Sequence, residues 1–158
     1  MIPAVPALEP AFDVAVDLAP VTDHGVTRVG HRRVIAILGG TIEDAGALGG
    51  LALRIEPGGA DWQRVRADGA MEIDGRYSAV AADGDRLYLQ VQGVRAGPAD
   101  VLAALGRGEP VDPGAYYFRT TVSIETASPR LAHLQDSLFV ASCVREASTV
   151  RYRAYRVT

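Results

Sequence analysis

The stretch MEIDGRYSAVAADGDRLYLQVQGVR, residues 71–95, decides the fold class. On both sides of Asp83-Gly84 apolar and polar side chains alternate, with Met71, Ile73 and Tyr77 on one face of the first half. A period of two residues is typical of a β-strand with one buried face. Asp-Gly favours a tight turn, because glycine tolerates the positive φ that hairpin turns need. The stretch therefore predicts an antiparallel β-hairpin.

Similar segments, separated by turn residues, follow one another along the whole chain and predict an all-β sandwich or barrel. Turns are predicted at Asp23-His24-Gly25, Pro57-Gly58-Gly59 and Asp68-Gly69. One helix is predicted over Pro98–Leu105, and a second short helical turn begins at Ser128-Pro129 and carries His133. The predicted strands are Phe12–Leu18, Arg32–Ile42, Leu48–Glu56, Met71–Ala81, Arg86–Arg95, Ala115–Thr126, Ser137–Arg145 and Val150–Val157.

Length and charge restrict the class of protein. A chain of 158 residues suits one domain, and we predict a proline-rich arm over residues 1–10 followed by one domain over 11–158. The net charge of −3 argues against a nucleic-acid partner, which usually meets clustered basic residues. No apolar run approaches the roughly 18 residues of a membrane span, and no signal peptide is apparent. A cytoplasmic protein without a membrane partner is expected.

Several cofactor chemistries are excluded by composition. All sixteen cationic side chains are arginine, so a lysine Schiff base, a pyridoxal linkage and a P-loop are all impossible. The single cysteine, Cys143, cannot form an internal disulfide, and its apolar surroundings predict a buried, inert thiol. The three histidines lack zinc-site spacing. We therefore expect no cofactor and no metal.

The polar strand faces contain the candidate site residues, and two alternatives remain open for them. Polar faces of antiparallel sheets are usually solvated. These faces, however, combine tyrosine, glutamine and arginine, a mixture that also lines ligand pockets. In a closed barrel they could face the lumen. Asp61 likewise has two interpretations, as a cap of the Gly58-Gly59 turn or as a pocket residue.

Two motifs carry a resemblance to a known family: PGGADW at residues 57–62, and YYFRT at 116–120 after RGEPVDP at 107–113. With Gly39-Gly40-Thr41, residues 66–69 and 72–77, Gly93-Val94-Arg95, Glu125-Thr126 and residues 137–140, they resemble the bacterial and fungal family called domain of unknown function 3237. The resemblance covers roughly residues 11–157. The sequence departs from the family pattern at residues 133–135 (HLQ), at Ala141 and at Cys143.

The resemblance implies a single antiparallel β-barrel of about eight to ten strands with one or two short helices, similar to allene oxide cyclase, dirigent and lipocalin-like barrels. It also implies a cofactor-independent isomerase or cyclase, for example of the chalcone-to-flavanone type, acting on a hydrophobic or phenolic small molecule. The alternatives are a barrel that binds such a molecule without turnover, and a structural module that forms a homo-oligomer. The resemblance implies catalytic roles for Arg119 and Arg76 (anion stabilisation), Tyr117 (carbonyl contact), and Glu125 or His133 (proton transfer), and substrate contacts for Trp62, Asp61, Tyr88, Gln90 and Phe118.

Overall fold

The computed structural model describes all residues from 1 to 158. It contains ten strands, one α-helix, and two 3₁₀ segments, Pro113–Ala115 and Pro129–Asp136. The strands and the α-helix are β1 (Leu8–Leu18), β2 (Thr22–Thr27), β3 (Gly30–Asp44), β4 (Ala52–Ile55), β5 (Ala60–Val65), β6 (Met71–Ala81), β7 (Arg86–Ala96), α1 (Ala99–Gly106), β8 (Tyr117–Glu125), β9 (Phe139–Arg145) and β10 (Thr149–Val157).

The sheet closes on itself as an antiparallel barrel of eight strand positions. The order β1-β10-β9-β8-β7-β6 continues through β4 and β5 to β3, which returns to β1. β4 and β5 share one position, since each pairs with both β3 and β6. β2 pairs only with β3 and lies outside the ring. Closure removes free sheet edges from the ring, and the prediction of a single antiparallel barrel is confirmed.

Three local predictions differ from the structure. Asp23-His24-Gly25 lies inside β2, at a bulge, rather than in a turn. β5 was not predicted as a strand, because its inward side chains Asp61 and Gln63 are polar and so hide the expected alternation. β1 begins at Leu8, inside the predicted arm.

The apolar strand faces point inward and form one continuous core. At one end of the barrel, which we call the sealed end, the rings of Phe12 and Phe139 lie 5.6 Å apart. Leu131 and Leu134 of the second 3₁₀ segment are 1% exposed and close this end, together with Leu48. The interior at the sealed end is therefore apolar.

The opposite end, which we call the polar end, is where β7 and β9 finish and β10 begins. The helix α1 covers it: Leu105 is buried, Gly69 in the β5–β6 turn lies beside Leu102, and Gly108 lies beside Ala147 in the β9–β10 turn. None of the helices is long and apolar enough to cross a membrane. The helix α1 and its neighbouring turns thus cover the polar end.

The loop after β3 is held by one carboxylate, which gives a stability prediction. Asp44 accepts hydrogen bonds from the backbone N–H groups of Gly46 (2.8 Å), Leu48 (2.8 Å) and Gly50 (2.6 Å). The bonds from Leu48 and Gly46 do most to lower the pKa of Asp44 to about 2. Asp44→Ala is expected to cost about 1–2 kcal/mol at pH 7, a range that allows for partial solvent exposure.

The pH dependence of this effect follows from the sign of the shift. A carboxyl with a lowered pKa stabilises the fold above its unfolded pKa, and the contribution disappears as the pH falls from about 4 towards 2. Urea unfolding of the wild type and the variant at both pH values measures this. An equal difference at pH 7 and pH 2 would contradict the prediction.

Candidate functional site

A small cavity of about 50 Å³ lies inside the barrel towards the polar end. Ten of its thirteen lining residues are apolar, among them Leu18, Ile37, Val91 and Phe118. Asp61 is the only ionisable carboxyl group in the lining. A largely apolar lining with a few polar groups is the usual composition of a ligand site.

Asp61 projects from β5 into this cavity. β5 can approach β6 closely because Gly59 has no side chain: a Cβ there would lie 2.3 Å from the carbonyl oxygen of Arg76. Oδ1 of Asp61 accepts from the backbone N–H of Asp74 (3.0 Å), and Oδ2 accepts from Nε2 of Gln63 (2.6 Å). Loss of hydration nevertheless raises the pKa of Asp61. Its side chain does not cap the preceding turn, so of the two interpretations the structure shows the pocket position.

Arg95 lies close to Asp61 and has unusually few partners. It is 7% exposed, and its Nε has no acceptor. Nη2 donates to the sulfur of Met71 at 3.2 Å, a weak acceptor. The guanidinium lies 5.6 Å from the ring centroid of Phe118. Burial, followed by repulsion from Arg145 and Arg33, lowers the pKa of Arg95 to about 10, so it remains charged at neutral pH.

Two further arginines, Arg33 and Arg145, lie near Arg95. We call Arg33, Arg95 and Arg145 the arginine group. Arg145 donates to the carbonyl oxygens of Ala147 (3.1 Å) and Thr149 (3.5 Å) in the β9–β10 turn. Arg33 is paired with Gln63 in the β3–β5 register, so both residues face the same side of the sheet. Gln63 is 4% exposed, and its Oε1 has no donor.

Deeper in the cavity, the hydroxyl groups of Tyr77 and Tyr152 form a hydrogen bond. Burial raises the pKa of both, so the two phenols are neutral. Cys143 also lines the cavity, 3.6 Å from the hydroxyl oxygen of Thr120. Burial raises the pKa of the Cys143 thiol to about 11, as expected for an inert cysteine. This part of the cavity carries dipoles but no charge.

The tyrosine pair gives a testable coupling. Tyr152→Phe leaves the buried hydroxyl of Tyr77 without its partner, and we expect a cost of about 1–3 kcal/mol. The double replacement Tyr77→Phe with Tyr152→Phe removes both polar groups and should cost less than the two single replacements together. Denaturant unfolding of the three variants measures the coupling. Simple additivity would show that the hydroxyl groups do not depend on each other.

Most of the site residues predicted from the sequence lie on the outer face of the barrel. In β8, Phe118 and Thr120 are buried, whereas Tyr117, Arg119 and Glu125 are exposed. The reason is volume: the larger apolar set fills the interior, so the alternating polar set must face solvent. The solvated alternative is therefore the one that the structure shows, and the lumen-facing alternative is wrong for these strands.

The outer-face residues fall into separate groups. Arg119 stacks on Tyr117, 5.5 Å from the ring centroid, and donates to the carbonyl oxygen of Phe118 (2.9 Å). It does not pair with Asp74, which binds Arg76 instead. Trp62, Arg76 and Tyr88 border one surface groove beside the Pro57–Gly59 turn. Gln90 is paired with Arg76, and Glu125 with Tyr88, across neighbouring strands.

His133 lies at the other end of the molecule from the cavity's charged groups. Its Nε2 is 2.9 Å from the carbonyl oxygen of Ala47, beside the sealed end. Of the ten predicted site residues, only Asp61 and Phe118 line the cavity. The catalytic roles of the outer-face residues remain predictions, and the structure does not bring those residues to one site. No three His, Cys, Asp or Glu side chains come together, and we assign no metal ligands.

Sequence comparison identifies a protein family and several relatives of this chain. The family model described as protein of unknown function (DUF3237) matches residues 6–157. A UPF0311 protein of Bradyrhizobium diazoefficiens is 37% identical over 146 residues, which are 92% of this chain and 93% of the relative. A UPF0311 protein of Clostridium acetobutylicum is 35% identical over 130 residues, which are 82% of this chain and 80% of the relative.

Solved structures show the same barrel. A conserved protein of unknown function from Rhodopseudomonas palustris has a TM-score of 0.90 at 34% identity, covering 99% of this chain and all of the other. A β-barrel-like protein from Acinetobacter baumannii has a TM-score of 0.83 at 41% identity, covering 99% of each chain. An enzyme from Penicillium herquei shares the fold alone, with a TM-score of 0.71 at 16% identity over 100% of this chain and 98% of the other. The chain therefore belongs to the DUF3237 family, which includes the UPF0311 proteins.

Proposed function

We propose that this protein is a cofactor-independent isomerase that closes a ring, or moves a proton, within a small oxygenated molecule bound at the polar end of the lumen. The proposal is carried by one observation: Asp61, whose pKa is raised, lies near Arg95. The Nε of Arg95 has no acceptor, and its Nη2 donates only to the sulfur of Met71. A carboxylate with a raised pKa suits proton transfer near neutral pH. A fixed cation with a free edge suits stabilisation of a developing oxyanion.

The reaction balances without an external reagent. For ring closure in a hydroxy-enone, the ionised carboxylate of Asp61 takes the hydroxyl proton, and the oxygen forms a C–O bond with the β-carbon. The electrons of the C=C bond form a new double bond between the α-carbon and the carbonyl carbon, and the C=O π electrons move to the oxygen. The positive charge of the arginine group stabilises the resulting enolate. Asp61 then returns its proton to the α-carbon, so product and substrate are isomers. Proton transfer by a positioned carboxylate contributes about 10²–10⁴-fold to such a rate.

The apolar lining supplies the second part of the proposal. Side chains such as Val91, Phe118 and Ile37 enclose the space beside Asp61. They exclude water and hold the reactant in a folded conformation, which favours an intramolecular reaction. The cavity of about 50 Å³ is small beside the 300–1,000 Å³ typical of ligand pockets. Entry of a phenolic molecule therefore requires the side chains at the polar end, or α1, to move aside.

A second candidate function is binding without turnover. The hydroxyl groups of Tyr77 and Tyr152 bond to each other, so the deep part of the cavity offers shape and dipoles rather than reactivity. A carrier needs only such a lining. It does not need a carboxylate with a raised pKa, and for that reason we favour the isomerase.

Incubation with a panel of hydroxychalcones and smaller hydroxy-enones, followed by chiral chromatography against a protein-free control, distinguishes the candidates. Faster formation of one enantiomer is the result expected of the isomerase. A rise in melting temperature with the same compounds but no product would favour the binding barrel. The absence of both responses would overturn both candidates for this class of molecule.

A further inference from the structure

The arginine group gives the polar end an excess of positive charge that the fold itself does not neutralise. Asp61 is the carboxyl group near Arg95 and Arg145, whereas Arg33 lies near Asp23. Each of the three arginines is close enough to another arginine for repulsion to lower the pKa of Arg95 or Arg145. Both oxygens of Asp61 are already occupied by Gln63 and the backbone of Asp74. Arg95 and Arg145 therefore share a single carboxyl group, and one positive charge remains without a counter-charge when Asp61 is ionised.

Other arginines of the same chain show what the free edge of Arg95 normally binds. Arg76, Arg107 and Arg153 each use Nε and Nη2 to hold both oxygens of one carboxylate, at distances of 2.5–3.3 Å. This side-on geometry suits the planar fork of the guanidinium group. Arg95 presents the same two atoms, but Nε has no acceptor and Nη2 meets only the sulfur of Met71. Arg95 is also 7% exposed, whereas the other three lie at the surface.

Burial of an unpaired charge is costly, and folds usually compensate it with a counter-ion. Oε1 of Gln63, buried and without a donor, is a second unpaired polar atom in the same place. A bound group with both hydrogen-bond acceptors and an O–H donor would satisfy Arg95 and Gln63 together. An organic acid that also carries a hydroxyl or enol group has this chemistry.

We propose that the polar end recognises a carboxylate, held side-on by Arg95 within the arginine group, so that the substrate of the isomerase is a hydroxylated organic acid. The claim that the bound acid is a substrate rests on the proposed function. The claim that the polar end binds a carboxylate rests on the contacts of Arg95 alone. The ionised phenol or enolate of a neutral compound offers the same negative oxygen. It lacks the second oxygen that the Nε–Nη2 edge would hold.

The test compares ligands of equal size that differ in charge. Isothermal titration and thermal melting are measured with benzoate, benzamide and 4-nitrophenolate, at constant ionic strength in a buffer without carboxylates. Benzoate is expected to bind at least tenfold more tightly than benzamide and more tightly than the phenolate. Equal binding of benzoate and benzamide would overturn the proposal, and so would a preference for the phenolate.

Variants locate the binding. Arg95→Gln and Arg95→Met are expected to abolish the preference for benzoate, while Arg153→Gln, which removes an exposed arginine bound to Asp13, should retain it. Ligand-free Arg95→Met should melt at or above the wild-type temperature, because it loses a buried charge without a partner; this shows that the variant is folded. Retention of the preference in both Arg95 variants would overturn the proposal.

The outcomes separate this inference from the proposed function. Benzoate binding that depends on Arg95, without turnover of any hydroxy-enone, would support the carboxylate site and reject the isomerase for that panel. Turnover of neutral hydroxy-enones by a protein that binds benzoate no more tightly than benzamide would support the isomerase and reject the carboxylate site.

Discussion

Asp61→Asn is expected to lower the turnover of an isomerised substrate at least a hundredfold while the protein remains folded. The amide cannot take a proton, and positioned proton transfer contributes about 10²–10⁴-fold. The fold should tolerate the change. The remaining side-chain oxygen can still accept from the backbone of Asp74, and Gln63 can turn its amide so that its free Oε1 accepts from the new NH₂ group.

The pH dependence strengthens this prediction. Asp61 lies near Arg95 and Arg145 within the barrel, with Asp74 behind it, yet burial raises its pKa. A carboxyl with a raised pKa stabilises the fold most at low pH, and that contribution is lost as the pH rises through the folded-state pKa. The asparagine variant should therefore be at least as stable as the wild type at pH 7. The kcat/KM of the wild type should rise with pH through the raised pKa.

Single-turnover kinetics and thermal melting of the same samples measure both effects. Asp74→Asn is the matched control, since this neighbouring carboxylate lies on the outer face and binds Arg76. Its turnover should stay within a few-fold of the wild-type value. Equal losses in the two variants would show that Asp61 acts through charge or folding rather than through proton transfer.

Gly93→Ala is expected to produce a large loss of stability, about 3 kcal/mol or more. Gly93 in β7 is paired with Thr120 in β8. A Cβ at this position would lie 2.1 Å from the carbonyl oxygen of Arg119 and 2.6 Å from Cα of Thr120. These are backbone atoms of a hydrogen-bonded neighbour, so relief requires β7 and β8 to separate. The same two strands carry Arg95 and Phe118, and ligand binding at the polar end should weaken as well.

Gly75→Ala is the control on the adjacent strand. A Cβ there would meet Val91 at 3.7–3.8 Å, which is ordinary contact, and removal of a glycine restricts the unfolded chain. Its free energy of unfolding should be equal to or slightly above that of the wild type. Denaturant midpoints of the two variants give the comparison. A loss at Gly93 no larger than that at Gly75 would mean that the strands adjust easily.

The sequence predicts the fold well wherever the interior is apolar. Residues 71–95 form the expected hairpin, because each inward position from Met71 to Val91 carries an apolar side chain or glycine. It predicts the site poorly for the same reason. The candidate residues were predicted on the polar strand faces. The structure instead places the buried charged groups, Asp61 and Arg95, on the inward, otherwise apolar face. Closure of the barrel also depends on the pairing of β1 with β10, which lie at opposite ends of the chain and leave no local pattern.

A usable signal was nevertheless present. Arg95 has the parity of Leu87, Leu89 and Val91, so an arginine stood on the apolar face of a strand. Such a residue must be buried and compensated, or must meet a ligand. Tyr77 stood on the inward face of β6 in the same way. Asp61 was recognised through its motif, while Gln63 and Arg145 lay in segments where the alternation gave no clear face.

The single cysteine of the chain, Cys143, can report whether a ligand occupies the cavity. Cys143 lines the cavity, and no other sulfhydryl or lysine amine in the chain competes for an alkylating reagent. Cys143 is 4% exposed, so a reagent must enter the cavity to reach its sulfur. The rate of alkylation therefore measures access to the cavity, and a molecule bound beside Asp61 would slow it in proportion to occupancy. Even a compound that is never transformed could thus be detected by mass spectrometry, without a label and without knowledge of the reaction.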